Sequence, residues 1–568
     1  MRKNLKKKFD KDILLQIIEE IVYLENPTAE NVAHVIAKHS SEDYKTFSKS
    51  QIIEAYNLFK GEINLSSGEE KKLLEAIKMK KIRTESGVAP VAILTKPFPC
   101  PGQCIYCPND LKMPKSYLSR EPGAQRASSN EFDPYLQVYN RLVAYKKIGH
   151  KTDKVELIVL GGTWSYYPKN YRIWFIKRAF DAMNDFNSEK AEYKRKTRSK
   201  DFKEPKEYNI LSKEAVKEAY GEEKILWEQL FSAQKKNETA DTRCVGLSVE
   251  TRPDYISRDE VKDLRKLGAT KIQLGVQSLR NEILSLNKRG HGVREIKKAF
   301  RLLRLAGFKI QVHWMPNLYG SAPVEDVKDF RRLFTNESFR PDELKIYPCS
   351  LIANTELFNI FMEGKWEPYT ETQLLWVLEQ CISFVPRYCR ISRVVRDISS
   401  GDILIGNKKS NFRQIAEADL ERRKVKINDI RYREIKDEKV DFSKLKMRCT
   451  PYETTVSSEF FIEYVTSEDK VAAFLRLSLP KKLVFFEEIK DSAMIREVHV
   501  YGELVGIGRE SENKAQHIGL GSKLIKEAER IAKKNGFGKI SVISSIGTRE
   551  YYAKRGYDLV GLYQVKKL

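Results

Sequence analysis

The 568-residue sequence predicts an α/β chain in which a helical segment is followed by a partial (β/α) barrel and then a small α+β domain. Three patterns carry this prediction. Apolar residues recur at three- and four-residue spacing near the start. Short β-branched runs then alternate with helical stretches, and near the end strands lead into a glycine loop that opens a helix.

Residues 1–80 read as a basic helical segment. "ILLQIIEEIVYL" and "KKLLEAIKMKK" keep one face apolar and place lysines on the other. Over residues 81–385 the runs "VELIVLGG", "CVGLSVE", "KIQLGVQS", "FKIQVHWMP" and "ELKIYPCS" are separated by helix-like stretches, the signature of βα units on a parallel sheet. The lysine-rich "SEKAEYKRKTRSKDFKEPKEY" between the first two runs reads as a surface insertion suited to a phosphate backbone. Residues 386–450, with "RYCRISRVVRD" and "RRKVKINDIRYREIK", read as a connecting region. Residues 451–568 hold strands "FFIEYV", "AAFLRLSL" and "AMIREVHVYG", then the glycine loop, helix "KLIKEAERIAKKNG" and strand "KISVISSI". No internal repeat is visible.

A net charge of +24 gives a long-range field that attracts polyanions, and nucleic acid suits it better than an anionic membrane surface. No apolar run approaches the roughly 20 residues of a membrane helix, so no membrane partner is expected. The basic, then apolar start lacks a small-residue cleavage site, which argues against a secretory leader. Eight unevenly spaced cysteines suit a reducing cytoplasm.

Three of those cysteines, Cys100, Cys104 and Cys107, crowd into "FPCPGQCIYCPND". Neighbouring prolines and polar residues make a shared core position a poor explanation. Structural zinc takes four ligands, and no second half-site follows. Three thiolates suit a [4Fe–4S] cluster with one iron left open. The C-x3-C-x2-C spacing resembles that of the radical S-adenosylmethionine (SAM) enzymes. In that superfamily the open iron holds the amino and carboxylate groups of SAM, and an electron from the cluster releases a 5′-deoxyadenosyl radical. The resemblance implies that Gly161, Gly162 and Thr163 of "VLGGT" hold the methionyl amino group. Glu250 of "LSVETRPD" and Gln277 and Ser278 of "LGVQSL" stand at strand ends, where ligands collect in barrels.

A second site is read from "QHIGLGS", with Gln516, Gly519, Leu520, Gly521 and Ser522 leading directly into a helix. Such a loop presents free backbone N–H groups to phosphate. It lacks the ending of a Walker loop and matches the Q-x-x-G-x-G pyrophosphate loop of acetyltransferases that bind acetyl-coenzyme A. In that fold the upstream strand with Glu497, Val498, His499 and Val500 lies along the pantetheine arm. His499 is a site residue or a satisfied strand histidine. Tyr551 and Tyr552 match the position where these transferases keep a tyrosine near the coenzyme sulfur, and such a tyrosine can protonate a departing thiolate; the pair can equally be a packed anchor.

Both sites in this order, with "KIRTESGVAPVAILTKP", "FDPYLQVYNR", "ETRPDYI", "NKRGH", "FRPDELKIYP" and "GTREYYAKRGY" before, between and after them, resemble the catalytic subunit of Elongator and its single-chain archaeal and bacterial relatives. The resemblance implies a radical-SAM half-barrel followed by a GNAT-type acetyltransferase domain. It implies a [4Fe–4S] cluster, SAM and acetyl-coenzyme A, with a radical taking hydrogen from the acetyl methyl and the carbon radical adding to the tRNA wobble uridine. Hydrolysis of the thioester then leaves a 5-carboxymethyl group. By the same resemblance Lys154 and Tyr552 touch acetyl-coenzyme A, and the catalytic candidates are Tyr551, Tyr552 and His499. The implied partners are the tRNA anticodon stem-loop, with the basic segment 1–80, including Lys6, Lys7 and Lys8, expected to bind tRNA, and an electron donor; a homodimer or further subunits are compatible with it. Cys349, Cys381, Cys389 and Cys449 form a zinc site or are ordinary thiols. The rival readings are a protein lysine acetyltransferase with a structural cluster and a tRNA-binding scaffold with disused sites.

Overall fold

The computed structural model describes residues 11–25, 27–39, 48–59, 63, 65–79, 87–187, 220–435, 441–481, 484–501 and 519–568. Lys6, Lys7 and Lys8, the lysine-rich insertion and Gln516 lie outside the described residues.

Four helices, α1 (Lys11–Tyr23), α2 (Ala29–Lys38), α3 (Lys49–Phe59) and α4 (Ser67–Ile77), come first. Their apolar stripes meet in a core of their own around Ile17, Ile21, Val32, Ile52 and Leu73. The Ser66 side chain and Glu69 close a reciprocal capping box that starts α4. Beyond it, the Met79 N–H donates to the Ile148 carbonyl at 3.2 Å and ties the bundle to the next unit.

That unit is a parallel sheet of β1 (Ala89–Leu94), β2 (Lys154–Leu160), β3 (Arg243–Thr251), β4 (Lys271–Gln277), β5 (Lys309–Trp314), β6 (Glu343–Ile346) and, after a short β7 (Leu351–Ile352), β8 (Arg390–Val394). The strand order is β1-β2-β3-β4-β5-β6-β8, every neighbour parallel, with helices in the crossovers. β7 pairs separately with β9 (Ile403–Ile405). The array is the predicted half-barrel. Residues 386–450 do more than connect, because β8 is the seventh strand of this sheet. Its run is short and arginine-rich, which hides it in the sequence; Arg390 is held by Glu434 at 2.5 Å.

Successive residues of β4 and β5 point to opposite faces. Ile272, Leu274, Val276, Ile310, Val312 and Trp314 face the helices and join the main apolar core. Lys271, Gln273, Gln277, Lys309, Gln311 and His313 occupy the alternate positions and face the concave side. A full (β/α)8 barrel fills that side with branched apolar residues. Here it is polar.

The second sheet holds β10 (Lys446–Glu453), β11 (Ser457–Val465), β12 (Val471–Pro480), β13 (Ala493–Val500), β14 (Lys539–Val542), β15 (Asp558–Val560) and β16 (Tyr563–Lys567), in the order β10-β11-β12-β13-β14-β16-β15. Only the β13–β14 pair is parallel. The helix Leu520–Lys534 lays Leu520, Leu524, Ile525, Ala528 and Ala532 on this sheet. The two sheets share one apolar core running from Ala89 to Tyr563. Buried charges cross the junction: Arg496 reaches both Asp342 carboxylate oxygens at 2.8 and 2.6 Å and Glu459 at 3.0 Å. Among the described residues no helix is long and apolar enough to cross a membrane.

Candidate active site

The chain leaves β1 and turns through the cysteine loop at the carboxyl ends of the strands. The Cys107 N–H donates to the Cys104 carbonyl at 3.0 Å, so a tight turn presents the C-x-x-C pair. Cys100 Sγ lies 3.4 Å from Thr163 Oγ1, which brings the triad to the end of β2. There Gly161 (φ +122°) and Gly162 (φ +59°) adopt conformations that favour glycine, and a Cβ on Gly161 would stand 2.1 Å from Thr95 Oγ1. The strand end is therefore bare backbone beside the cysteines.

Two arginines flank the loop. Arg289 Nη1 donates to Cys104 Sγ at 3.1 Å and its Nη2 to the Gly275 carbonyl at 2.6 Å. Arg252 is fixed by Asp254 at 3.0 Å and by the Arg289 carbonyl at 2.5 Å. Burial pushes the Cys104 thiol up, but the charge and hydrogen bond of Arg289, with Arg252 behind, bring it below the ordinary thiol value. Cys107 is half-buried, and desolvation with the neighbouring Cys104 pushes its thiol up to about 12. Three thiols against two cations are a donor set that fits an anionic iron–sulfur cluster.

Glu250, at the end of β3, accepts from the Tyr117 hydroxyl at 3.1 Å and lies 3.5 Å from His313 Nδ1. Lys345 of β6 donates to Gln273, and burial lowers it to about 8 despite nearby Glu250. Gln277 has a left-handed backbone (φ 69°) and a buried Oε1 without a hydrogen-bond partner, so it has capacity to spare for a ligand. Ser278 is committed elsewhere: its hydroxyl donates to Asp329 at 3.0 Å. Sequence reasoning singled out none of Tyr117, His313, Lys345, Arg252 or Arg289. The alternation in "KIQLGVQ" and "FKIQVHW" and the polar residues in "ETRPD" and "NKRGH" were the available signals.

The second candidate set gathers on the transferase sheet. β13 pairs with β14 only over Ala493–Ile495, so beyond Ile495 the two strands part. Val498 and Val500 continue along that opening, where β13 pairs with no strand of the described residues on this side and its edge can bind an extended arm as a strand would. Gly519 (φ 69°) caps the helix Leu520–Lys534 without a side-chain hydrogen bond, leaving N–H groups of Leu520, Gly521 and Ser522 at its start. A Cβ on Gly521 would stand 2.6 Å from the Tyr551 hydroxyl and 3.7 Å from Val500, which places the loop, the tyrosines and β13 together. Ser522 Oγ accepts from Arg555 at 2.9 Å, and that guanidinium lies over the Tyr551 ring. Burial raises both Tyr551 and Tyr552, keeping them protonated. His499 stacks on Phe474 at 5.5 Å; burial lowers it to about 4, and its Nε2 is buried without a partner. Glu497 is occupied, bound by Lys309 and by Arg476 at 2.7 Å.

Lys154 starts β2 in register with Arg243, whose guanidinium meets Glu550 at 3.2 Å. It thus stands beside the helix Arg549–Ala553 that carries the two tyrosines. Gly161 and Gly162 follow the other end of the same strand, and six rises of about 3.3 Å separate Lys154 from Leu160, roughly 20 Å. The coenzyme candidates therefore gather at the amino ends of the half-barrel and the cysteine loop at the carboxyl ends. The polar concave face, with Ser248, Gln273, Gln311 and Glu343 all buried, lies between. Cys349, Cys381 and Cys389 are separately buried and Cys449 is exposed. Among the described residues no three His, Cys, Asp or Glu side chains gather closely enough to hold one metal ion.

The Radical SAM superfamily model matches residues 98–333, and the Radical_SAM C-terminal domain model matches 341–422. The first implies a [4Fe–4S] cluster and SAM; the second includes β8. The tRNA uridine(34) acetyltransferase of Methanocaldococcus infernus is 41% identical over 523 residues, covering 89% of this chain and 90% of that protein. Elongator complex protein 3 of Homo sapiens is 33% identical, covering 88% of this chain and 87% of its own length. The solved structure of an N-terminally deleted M. infernus Elp3 aligns with a TM-score of 0.69 at 38% identity, over 85% of this chain and 99% of that one. On this evidence the chain belongs to the family of the tRNA uridine(34) acetyltransferases and Elongator complex protein 3, built on a radical SAM half-barrel.

Proposed function

We propose that this enzyme forms 5-carboxymethyluridine at the wobble position of tRNA in the cytoplasm, with acetyl-coenzyme A as acetyl donor. The observation that carries the reading is the coexistence, on one shared apolar core, of the cysteine loop at the carboxyl ends and the open β13 edge with its glycine-capped helix at the amino ends. When bound, the cluster and SAM supply a radical able to take hydrogen from an unactivated C–H bond.

In this reading Cys100, Cys104 and Cys107 hold the cluster. The backbone at Gly161–Thr163 and the polar ends of Glu250 and Gln277 orient SAM. Leu520, Gly521 and Ser522 offer N–H groups to the pyrophosphate of the coenzyme, and Val498 and Val500 align its arm. His499, neutral at physiological pH, has a free ring nitrogen that can accept a proton from water during thioester hydrolysis. Tyr551 or Tyr552, kept protonated, can donate to the leaving thiolate. The domains that follow from this reading are a helical tRNA-binding bundle, a half-barrel extended through β8, and the transferase sheet. The positive charge of the chain and the tRNA-named relatives support an anticodon stem-loop as substrate.

The test is an anaerobic assay with a chemical reductant, SAM, acetyl-coenzyme A and tRNA. Formation of 5′-deoxyadenosine with 5-carboxymethyluridine supports the proposal. Acetyl-lysine in a protein substrate without SAM, and no modified tRNA, overturns it.

A further inference from the structure

The "NKRGH" and "ETRPD" segments bring Arg289 and Arg252 to one side of the cysteine loop, although neither has a place in the roles above. Both are almost wholly enclosed, at 6% and 5% exposure. Arg252 has a carboxylate of its own in Asp254. Arg289 is different. Its bonds go to the Cys104 sulfur and to the Gly275 carbonyl, and among the described residues it forms no ion pair with a carboxylate. Its Nε and the Arg252 Nη1 are buried donors without acceptors.

A buried guanidinium without an anion costs several kcal/mol, so such a group persists where a negative partner comes to it. Room has been kept for both side chains. A Cβ on Gly275 would stand 3.2 Å from Arg289 Nη2, and one on Gly102, inside the cysteine loop, 2.2 Å from Arg252 Nη1. Each arginine approaches over a glycine. The anion available at this position is the thiolate-bound cluster, which is negative overall and more so after taking up an electron.

We propose that Arg289, supported by Arg252, sets the reduction potential of the cluster by placing a buried positive charge and an N–H donor against its Cys104 corner. A nearby cation and a hydrogen bond to sulfur stabilise the reduced, more negative state and so raise the potential. In the low-dielectric interior this effect is weakly screened. The proposal rests on the cluster reading given above, and its test separates the two.

The experiment is potentiometric titration of the reconstituted holoprotein, without SAM, followed by the electron paramagnetic resonance of the reduced cluster. Arg289→Met should make reduction harder by about tenfold in equilibrium constant, a fall of about 59 mV for one electron. Arg289→Lys should stay near the parent because it keeps the charge. A wild-type protein that binds no iron ends the cluster reading itself. A loaded Arg289→Met protein with an unchanged potential overturns the present proposal alone. A shift seen only after adding SAM also overturns it, because the arginine then acts on the methionyl carboxylate of SAM. If Arg289→Met does not load, Gly275→Ala, which crowds the guanidinium, carries the test, and an unchanged potential there is equally contradictory.

Discussion

His499 shows how one residue's surroundings select its chemistry. Its ring contacts both Phe474 and Tyr501, at 5.5 and 4.3 Å, and burial lowers its pKa to about 4. It therefore carries charge only below that pH and is a neutral acceptor above it. If it acts on water during thioester hydrolysis, the acid limb of product formation should fall near pH 4, below the ordinary histidine value of about 6.5. Measuring single-turnover product formation against pH in the parent and in His499→Gln checks this, and the limb should vanish in the variant. At the cysteine loop, changing Cys100, Cys104 or Cys107 to Ala should remove most bound iron, as iron analysis of the reconstituted proteins reads directly. The triad was legible in the sequence because its three thiols are local. Arg289 was not, since it meets Cys104 across 185 residues and only the fold makes that contact.

Among the elements, the half-barrel strands and the parting of β13 from β14 carry the chemistry. Alternation in β4 and β5 puts apolar residues under helices and polar ones on the concave face, a pattern readable in "KIQLGVQ" once both faces are considered. β8 was hidden because four arginines lie in "RYCRISRVVRD", and their ion pairs with Glu463, Glu434, Asp397 and Glu121 exist only in the folded chain. At the transferase loop the glycine pattern announced a helix start, and the structure adds the strand edge beside it. Gly521→Val should crowd the Tyr551 hydroxyl and Val500 and obstruct the N–H cradle. Acetyl-coenzyme A affinity, measured by calorimetry, should fall by tenfold or more, about 1.4 kcal/mol. Iron content should stay at the parent level.

For the whole molecule, the two sites must keep a fixed relation across the junction of the sheets. Asp342 lies there, fully buried, with Arg496 at 2.6 Å, Arg304 at 3.5 Å and Arg476 at 3.6 Å. Burial alone would raise its pKa, but the three guanidiniums hold it far below the carboxylate range. A depressed folded pKa stabilises the protein above the unfolded value of about 3.9, and that contribution is lost as pH falls below it. Asp342→Asn should cost on the order of 3–5 kcal/mol at neutral pH, read as a lower Tm, because buried arginines lose their shared carboxylate. The difference from the parent should shrink as the pH falls below about 4. The excess positive charge predicts steep salt dependence for tRNA: with six or more phosphate contacts, affinity should fall roughly 10³-fold or more from 50 to 200 mM salt. The order of sites was legible in the sequence, but their placement at opposite strand ends was not, because it depends on how the second sheet docks. The most direct measurement of the central claim, that both sites serve one reaction, uses acetyl-coenzyme A labelled in its acetyl carbons in the anaerobic assay. The account predicts both labelled carbons in the 5-carboxymethyl group of the wobble uridine, with labelled product lost in both Cys104→Ala and Gly521→Val. Labelled product from Cys104→Ala, or label confined to protein lysines, would contradict it.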